Sequence, residues 1–313
     1  MLAWINSIVD DLRDAISIAQ GKRPMPELSP GTRFRALLQT EKPLQIVGAI
    51  NAICAMQAAI SGFRALYLSG AGVANASHGL PDLGITTLND VVYDAARITS
   101  VCSLPLLVDI DTGWGTELTI QRAIRELERV GVAAVHIEDQ VAAKRCGHRP
   151  GKELVSTEEM QARVRAAVAS RYNPDFVIMA RTDAVSVEGI EAAIQRAKAY
   201  VSAGADMIFA EAVESVEDFR RFSNEVNVPI LANLTEFGRT PAFTLDQLNE
   251  VGVQMALYPL TAFRAMNAAA RTTYESIRKN GSQQSILKTL QSRDELYEVL
   301  NYLEAEERID QHR

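Results

Sequence analysis

The amino-acid sequence predicts a parallel (β/α)8 barrel, with a doubly wound open sheet as the alternative. Three observations carry the prediction: eight short apolar runs recur between residues 45 and 258, helical segments lie between them, and polar or charged residues follow the runs. Length agrees, because 313 residues hold one such barrel, which takes roughly 250, together with additions. The open sheet loses ground because no Gly-x-Gly-x-x-Gly turn follows the first run, as a dinucleotide-binding sheet would require.

In chain order, Leu2, Ile5, Ile8, Val9, Leu12, Ile16 and Ala19 repeat at three and four residues, which predicts an amphipathic helix ended by Gly21. Pro24, Pro26, Pro30 and Gly31 read as a linker. The extension, residues 1–28, is either docked on the body or a partner-binding element, and docking is preferred. Strands are expected at 45–50, 65–68, 106–110, 134–137, 176–180, 207–210, 229–232 and 254–258, placing the barrel at 44–262 of a single domain, 1–313. Helices such as 117–130 and 187–203 separate them, and Gly131 and Gly204 each end a helix just before a strand. Residues 263–313 exceed what one barrel helix needs. There, 261–279 is helical by pattern, Ser292-Arg-Asp-Glu295 is a capping box, and Leu296, Leu300 and Leu303 share one face. This surplus either caps the barrel or embraces a second subunit, and the subunit contact is preferred.

Composition narrows the function. A formal charge of −7 gives no global attraction to nucleic acid or to an anionic membrane. No apolar run approaches the ~20 residues that span a bilayer, and the N-terminus lacks a basic leader and a cleavage site, so a cytoplasmic location is expected. Cys54 and Cys102 sit among apolar neighbours, as buried free thiols do, whereas Cys146 has polar company.

A barrel gathers the C-terminal ends of its strands on one rim, where active sites are built. The rim would hold Asn51, Ser69, Asp109 with Asp111, Glu138 with Asp139, Arg181 with Asp183, Glu211, Asn233 with Thr235, and Tyr258. Asp109 and Asp111 face the same side of a strand unless the strand ends between them. Carboxylates without a neighbouring histidine or cysteine favour Mg²⁺ or Mn²⁺ over zinc, and Glu138 completes the set directly or through water. The alternative is that the two aspartates cap a helix beginning near Thr116. Arg181 either clamps a carboxylate with two parallel hydrogen bonds or forms a structural ion pair with Glu211 or Asp183.

Residues 136–152 are the densest stretch, placing Cys146 among Lys144, Arg145, His148 and Arg149. A thiol among cations suits a nucleophile or a proton donor, and Gly147, Pro150 and Gly151 mark backbone that can open and close. A solvated basic loop with an incidental cysteine is the plainer alternative. Lys144, Arg145, His148, Arg181 and Arg264 together favour a small polycarboxylate or phosphorylated acid. No P-loop lysine motif is present, which argues against nucleoside triphosphates. Gly70-Ala-Gly72 either turns the chain or offers N–H groups to an anion, and Asp82 adds a loop carboxylate. His78 and His136 receive no role, since isolated histidines near apolar segments are more often hydrogen-bonded fillers.

These segments resemble the isocitrate lyase and phosphoenolpyruvate mutase superfamily, and within it the 2-methylisocitrate lyase family. The carrying segments are Tyr67-Leu-Ser-Gly-Ala-Gly72, Leu80-Pro-Asp-Leu-Gly-Ile85, Asp109-Ile-Asp-Thr-Gly113, His136 through Cys146-Gly-His-Arg149, Ala180-Arg-Thr-Asp-Ala184, Asn233-Leu-Thr-Glu-Phe-Gly238 and Tyr258-Pro-Leu-Thr-Ala-Phe-Arg-Ala-Met-Asn267. The resemblance implies a Mg²⁺-dependent retro-Claisen cleavage that yields pyruvate and succinate in the methylcitrate route of propionate breakdown. A lyase for isocitrate or a dimethylmalate-type acid, or a carboxyphosphonoenolpyruvate mutase, is the alternative. By the same resemblance Asp109 and Asp111 hold the metal with Asp82 and Glu138 nearby, and Ser69, Gly70 and Ala71 line the keto acid clamped by Arg181. Cys146, Gly147, Glu211, Asn233, Thr235, Arg264 and Arg293 hold the succinyl half. Cys146 protonates the product carbanion among the cations of its loop, Lys144 included, and Tyr67 is named as the base. A tricarboxylate substrate and a homotetramer that exchanges C-terminal helices are implied as well. Ala71 stands where a third glycine is common and His78 where an apolar residue is usual.

Overall fold

The computed structural model describes residues 28–311, and its eight parallel strands close on themselves in sequence order. They are β1 (Leu44–Gly48), β2 (Ala65–Leu68), β3 (Leu106–Asp109), β4 (Ala134–Glu138), β5 (Val177–Thr182), β6 (Met207–Ala210), β7 (Ile230–Asn233) and β8 (Met255–Tyr258). Closure comes where β1 pairs with β8, setting Leu44 opposite Met255 and Val47 opposite Tyr258. The open-sheet alternative is thereby excluded.

Strands buried on both faces need apolar residues at both positions of the two-residue repeat. Two buried clusters divide them accordingly. Ile46, Tyr67, Leu107, Met179, Phe209 and Leu257 belong to the barrel interior, while Leu66, Val108, Val135, Ile178 and Ile208 pack outward against helices. The interior cluster also contains Phe34, Leu37 and Leu38 from helix α1 (Pro30–Thr40). Residues 30 and 31 are therefore not linker, as the sequence reading had them. Pro30 is the first helical residue, where its missing N–H costs nothing, and Ser29 Oγ accepts from Thr32 N at 3.1 Å. The predicted N-terminal amphipathic helix lies outside the described residues.

The remaining α-helices of four residues or more are α2 (Ala52–Ile60), α3 (Leu88–Thr99), α4 (Glu117–Arg129), α5 (Thr157–Val168), α6 (Val185–Glu188), α7 (Ile190–Ser202), α8 (Val216–Glu225), α9 (Leu245–Glu250), α10 (Thr261–Asn280), α11 (Arg293–Leu300) and α12 (Tyr302–Asp310). The single helix expected at 187–203 is two, because Gly189 at φ 88° breaks it. The expected capping box is present, with Ser292 and Glu295 bonding each other's backbone N–H. The expected leucine face is interrupted: Asn301, left-handed at φ 50°, separates α11 from α12, so Leu303 belongs to a different helix from Leu296 and Leu300. Helix α10, 20 residues long, buries no residue. Among the described residues no helix is long and apolar enough to cross a membrane.

Candidate active site

Strand β3 ends at Asp109, and the chain turns so sharply that Asp111 sits at φ 48°. Strand alternation therefore does not bring the two carboxylates together; the turn does, and Asp111 N donates to Asp109 Oδ1 at 3.0 Å. Gly70 approaches both, its N–H donating to Asp109 Oδ2 at 3.1 Å. A Cβ at Gly70 would lie 3.1 Å from an oxygen of each aspartate, so this glycine serves close approach. Lys144 Nζ reaches in from the loop after β4, 2.5 Å from Asp111 Oδ1 and 2.6 Å from Asp82 Oδ1.

The charges are unevenly compensated. Burial and the Asp109 charge push the Asp111 carboxyl up to about 6 despite Lys144. Asp109 is held at about 2, because His136, Lys144 and Arg181 outweigh its burial. Burial raises Glu138 well above the usual carboxylate range, and its Oε1 is buried without a hydrogen bond. An all-oxygen donor set with surplus negative charge and an orphaned buried carboxylate oxygen fits a hard divalent cation such as Mg²⁺. Among the described residues no three histidine, cysteine or acidic side chains form a ready-made cage. Mg²⁺ suits that situation, since it is held by one or two carboxylates and keeps several waters.

Arg181, at the end of β5, realises the ion-pair reading. Its Nε donates to Asp183 Oδ2 at 2.9 Å, Nη2 lies 3.1 Å from Glu211 Oε2, and Nε lies 3.4 Å from Glu138 Oε2. The guanidinium also stands 5.1 Å above the Phe209 ring and still borders the cavity. Arg181 and His148 outweigh burial to hold Glu211 well below the usual range. His148 Nδ1 accepts from Arg239 N at 3.0 Å, so the proton resides on Nε2, which faces Glu211 Oε1 at 3.0 Å.

Tyr67 and His136 form the floor. The phenol lies 2.9 Å from His136 Nε2 and 3.4 Å from Asp109 Oδ2. Burial and then Asp109 raise the phenol well above 10, which leaves it a hydrogen-bond donor and argues against the base role expected of it. Burial lowers His136 to about 4, so the imidazole is neutral. Sequence reasoning gives His136 no role; the available signal is its spacing of two from Glu138 on β4, which turns both inward.

These groups enclose a cavity of about 170 Å³ lined by Tyr67, Ser69, Ala71, Asn75, Asp82, Asp109, Lys144, Cys146, Gly147, His148, Arg181, Phe209, Glu211, Asn233, Thr235, Pro259, Leu260 and Arg264. Of the expected residues, Gly70, Asp111 and Glu138 sit behind this lining, touching Asp109, Lys144 and Arg181 respectively. Arg293 does not border the cavity; it is exposed at the start of α11. Asn51 is not a rim group either, since it caps α2 by accepting from Cys54 N at 3.0 Å. Sequence reasoning missed Asn75, Phe209, Pro259 and Leu260, of which only Phe209 carries a signal, the inward repeat of β6.

The exposed Cys146 borders both this cavity and an outer one of about 580 Å³ lined by Pro81, Asp82, Leu83, Arg145, Arg149 and Pro150 among others. The loop bearing the thiol is thus a wall between the reaction cavity and an outer mouth. The incidental-cysteine reading does not suit that placement. Chemically, the arrangement sets a carboxylate cluster against a buried guanidinium, with a thiol beside both.

The phosphoenolpyruvate phosphomutase family matches residues 34–278. A 2-methylisocitrate lyase of Shewanella oneidensis is 59% identical over 283 residues, 90% of this chain and 97% of that protein. One from Escherichia coli is 58% identical over 283 residues, 90% and 96% of the two chains. A crystal structure of 2,3-dimethylmalate lyase, a member of the phosphoenolpyruvate mutase and isocitrate lyase superfamily, superimposes with a TM-score of 0.84 at 35% identity, covering 92% of this chain and 96% of that one. The chain belongs to the phosphoenolpyruvate mutase and isocitrate lyase superfamily, on its 2-methylisocitrate lyase branch.

Proposed function

We propose that the protein cleaves 2-methylisocitrate to pyruvate and succinate in a Mg²⁺-dependent reaction, as a cytoplasmic homotetramer of the methylcitrate route of propionate breakdown. The observation that carries the reading is Cys146, on a loop packed against Arg181 and Glu211 and bordering the same small cavity as Asp109.

The hydroxy-acid end of the substrate lies against Ser69 and Ala71, and the succinyl carboxylates lie toward Asn233, Thr235 and Arg264, all of which border the cavity. Asp109 and Asp111 would hold Mg²⁺, with Asp82 and Glu138 nearby; when bound, the ion supplies Lewis-acid stabilisation of the oxygen that becomes the ketone. The reaction opens as the hydroxyl proton passes to solvent water. The oxygen's electron pair then forms the pyruvate carbonyl as the carbon–carbon bond breaks, and the bonding pair passes to the succinyl carbon. Lys144, Arg181 and His148 favour the negative charge that collects on that fragment. Cys146 gives its thiol proton to the carbanion carbon, and a proton from solvent water then returns to the thiolate.

The tetramer reading is supported by the apolar side chains left exposed at the C-terminal end, among them Met266, Tyr274, Ile277, Leu300 and Leu303. Exchange of these helices between neighbours would cover them, and light scattering at graded concentrations tests the assembly.

The functional test compares 2-methylisocitrate with isocitrate by pyruvate and glyoxylate release, with Mg²⁺ and with EDTA. Pyruvate release that needs the metal and falls by about 10²-fold or more in Cys146→Ser is expected. Full activity in EDTA, or in that variant, overturns the proposal. Glyoxylate release from isocitrate at the faster rate would move the assignment to the alternative lyase.

A further inference from the structure

The peptide units on either side of Cys146 are each held by a buried side chain to which the mechanism above gives no part. On one side, Gln140 Nε2 donates to Arg145 O at 2.9 Å and its Oε1 accepts from Arg145 N at 3.0 Å. On the other, Lys152 Nζ donates to Gly147 O at 2.5 Å and to Asp183 Oδ1 at 2.8 Å. Gln140 is fully buried and Lys152 nearly so. A buried ammonium is retained only with acceptors in place, and here one acceptor belongs to the loop and the other to the barrel.

The barrel side of this arrangement is rigid. Asp183 N donates to Asp139 Oδ1 at 2.9 Å, and Asp139 Oδ2 accepts from Tyr200 of α7 at 2.9 Å and from Thr182 at 2.8 Å. Asp183 also takes both hydrogen bonds of Arg181, at 2.9 and 3.2 Å. Gln140 is tied as firmly, because Arg163 of α5 donates to its carbonyl at 2.8 Å. The loop thus meets the fold at two fixed points with the thiol between them.

We infer that Gln140 and Lys152 are positioning residues for Cys146: together they clasp the Arg145 and Gly147 peptides and set where the thiol delivers its proton. Lys152 acts through Asp183, which also orients Arg181, so one carboxylate aligns the proton donor and the guanidinium. This rests on the lyase reading, in which Cys146 protonates the succinyl carbon.

Lys152→Met and Gln140→Leu, each made in the wild type and in the Cys146→Ser background, test the inference. In the wild type each is expected to lower kcat on the order of 10²-fold, the loss that a misplacement of about 1 Å produces. In the Cys146→Ser background each should cost under about threefold, because residues acting through one group are not additive. A residue that only stabilises the barrel would cost the same factor in both backgrounds, and that result overturns the inference. Hydrogen exchange of the 141–151 amides gives a readout independent of substrate, and it should quicken there while the strands stay protected. Unchanged exchange in both variants overturns the clasp even if wild type releases no pyruvate, a result that would overturn only the lyase reading. If Lys152→Met does not fold, Gln140→Leu decides by the same measurements.

Discussion

Gly147→Ala is the sharpest perturbation available. The residue is not in the left-handed region, so its backbone accepts alanine, and any effect comes from space. An added Cβ would lie 2.4 Å from Arg181 Nη2 and 2.7 Å from Glu211 Cγ, where ordinary contact begins at 3.4 Å. Arg181 cannot retreat, being bonded to Asp183 and paired with Glu211, so the loop must lift by about 1 Å. A displacement of that size at a reacting group costs about 10²-fold, or about 2.7 kcal/mol in the barrier. Steady-state pyruvate release with Mg²⁺ would show the fall in kcat, and thermal unfolding would show the barrel intact. Gly281→Ala is the counterpart: its φ is 65° with nothing within 4 Å, so it should cost roughly 1 kcal/mol of stability and no activity. A Gly147→Ala enzyme with kcat within about threefold of wild type would refute the close packing of loop on guanidinium and the reasoning built on it.

Three further outcomes are expected. Mg²⁺ at about 100 times its dissociation constant should stabilise the wild type by about 2.7 kcal/mol; Asp111→Asn should lose most of that gain, and an undiminished shift in that variant would remove Asp111 from the metal site. His136 stays neutral down to about 4 in the folded protein against 6.5 unfolded, so between those values the unfolded chain binds the extra proton and stability falls as pH drops. The loss is at most about 3 kcal/mol across that window; denaturant unfolding at pH 7 and 4.5 should show a smaller drop for His136→Asn, and equal drops would contradict a buried neutral imidazole. Glu211→Gln, which takes the charge from beside Arg181 and His148, should weaken acid sensitivity below the usual carboxylate range, where the wild type loses stability as Glu211 is protonated; parallel acid-unfolding curves for the two proteins would count against that pairing.

The barrel was readable because parallel strands buried on both faces print as apolar runs, and because each run stops where the rim begins. That logic located Asp109, Arg181, Glu211 and Asn233 without any pairwise contact. Contacts that depend on a side chain's reach were not readable. Lys152 beside a glycine looks like a solvated loop lysine, and only the folded chain shows it buried against Asp183. His136 gains meaning from Tyr67, which lies 69 positions away in sequence. Pro30 reads as linker in the sequence because a proline at the first helical position and one in a linker look alike until the following residues find a core. The break at Asn301 leaves only a faint mark, since asparagine takes the left-handed helix-ending conformation less often than glycine does.

The seam between β1 and β8 joins Leu44 to Met255, and it concerns time as well as shape. Contacts so distant in sequence are slow to form, because the intervening loop must be closed before they repay it. Ser69 follows the second strand and Arg264 the eighth, so the cavity they share does not exist in any chain still short of its last strand. A nascent chain therefore carries all the early carboxylates and the reactive thiol while having no enclosed place to use them. Catalytic competence arrives in one step, with closure of the ring.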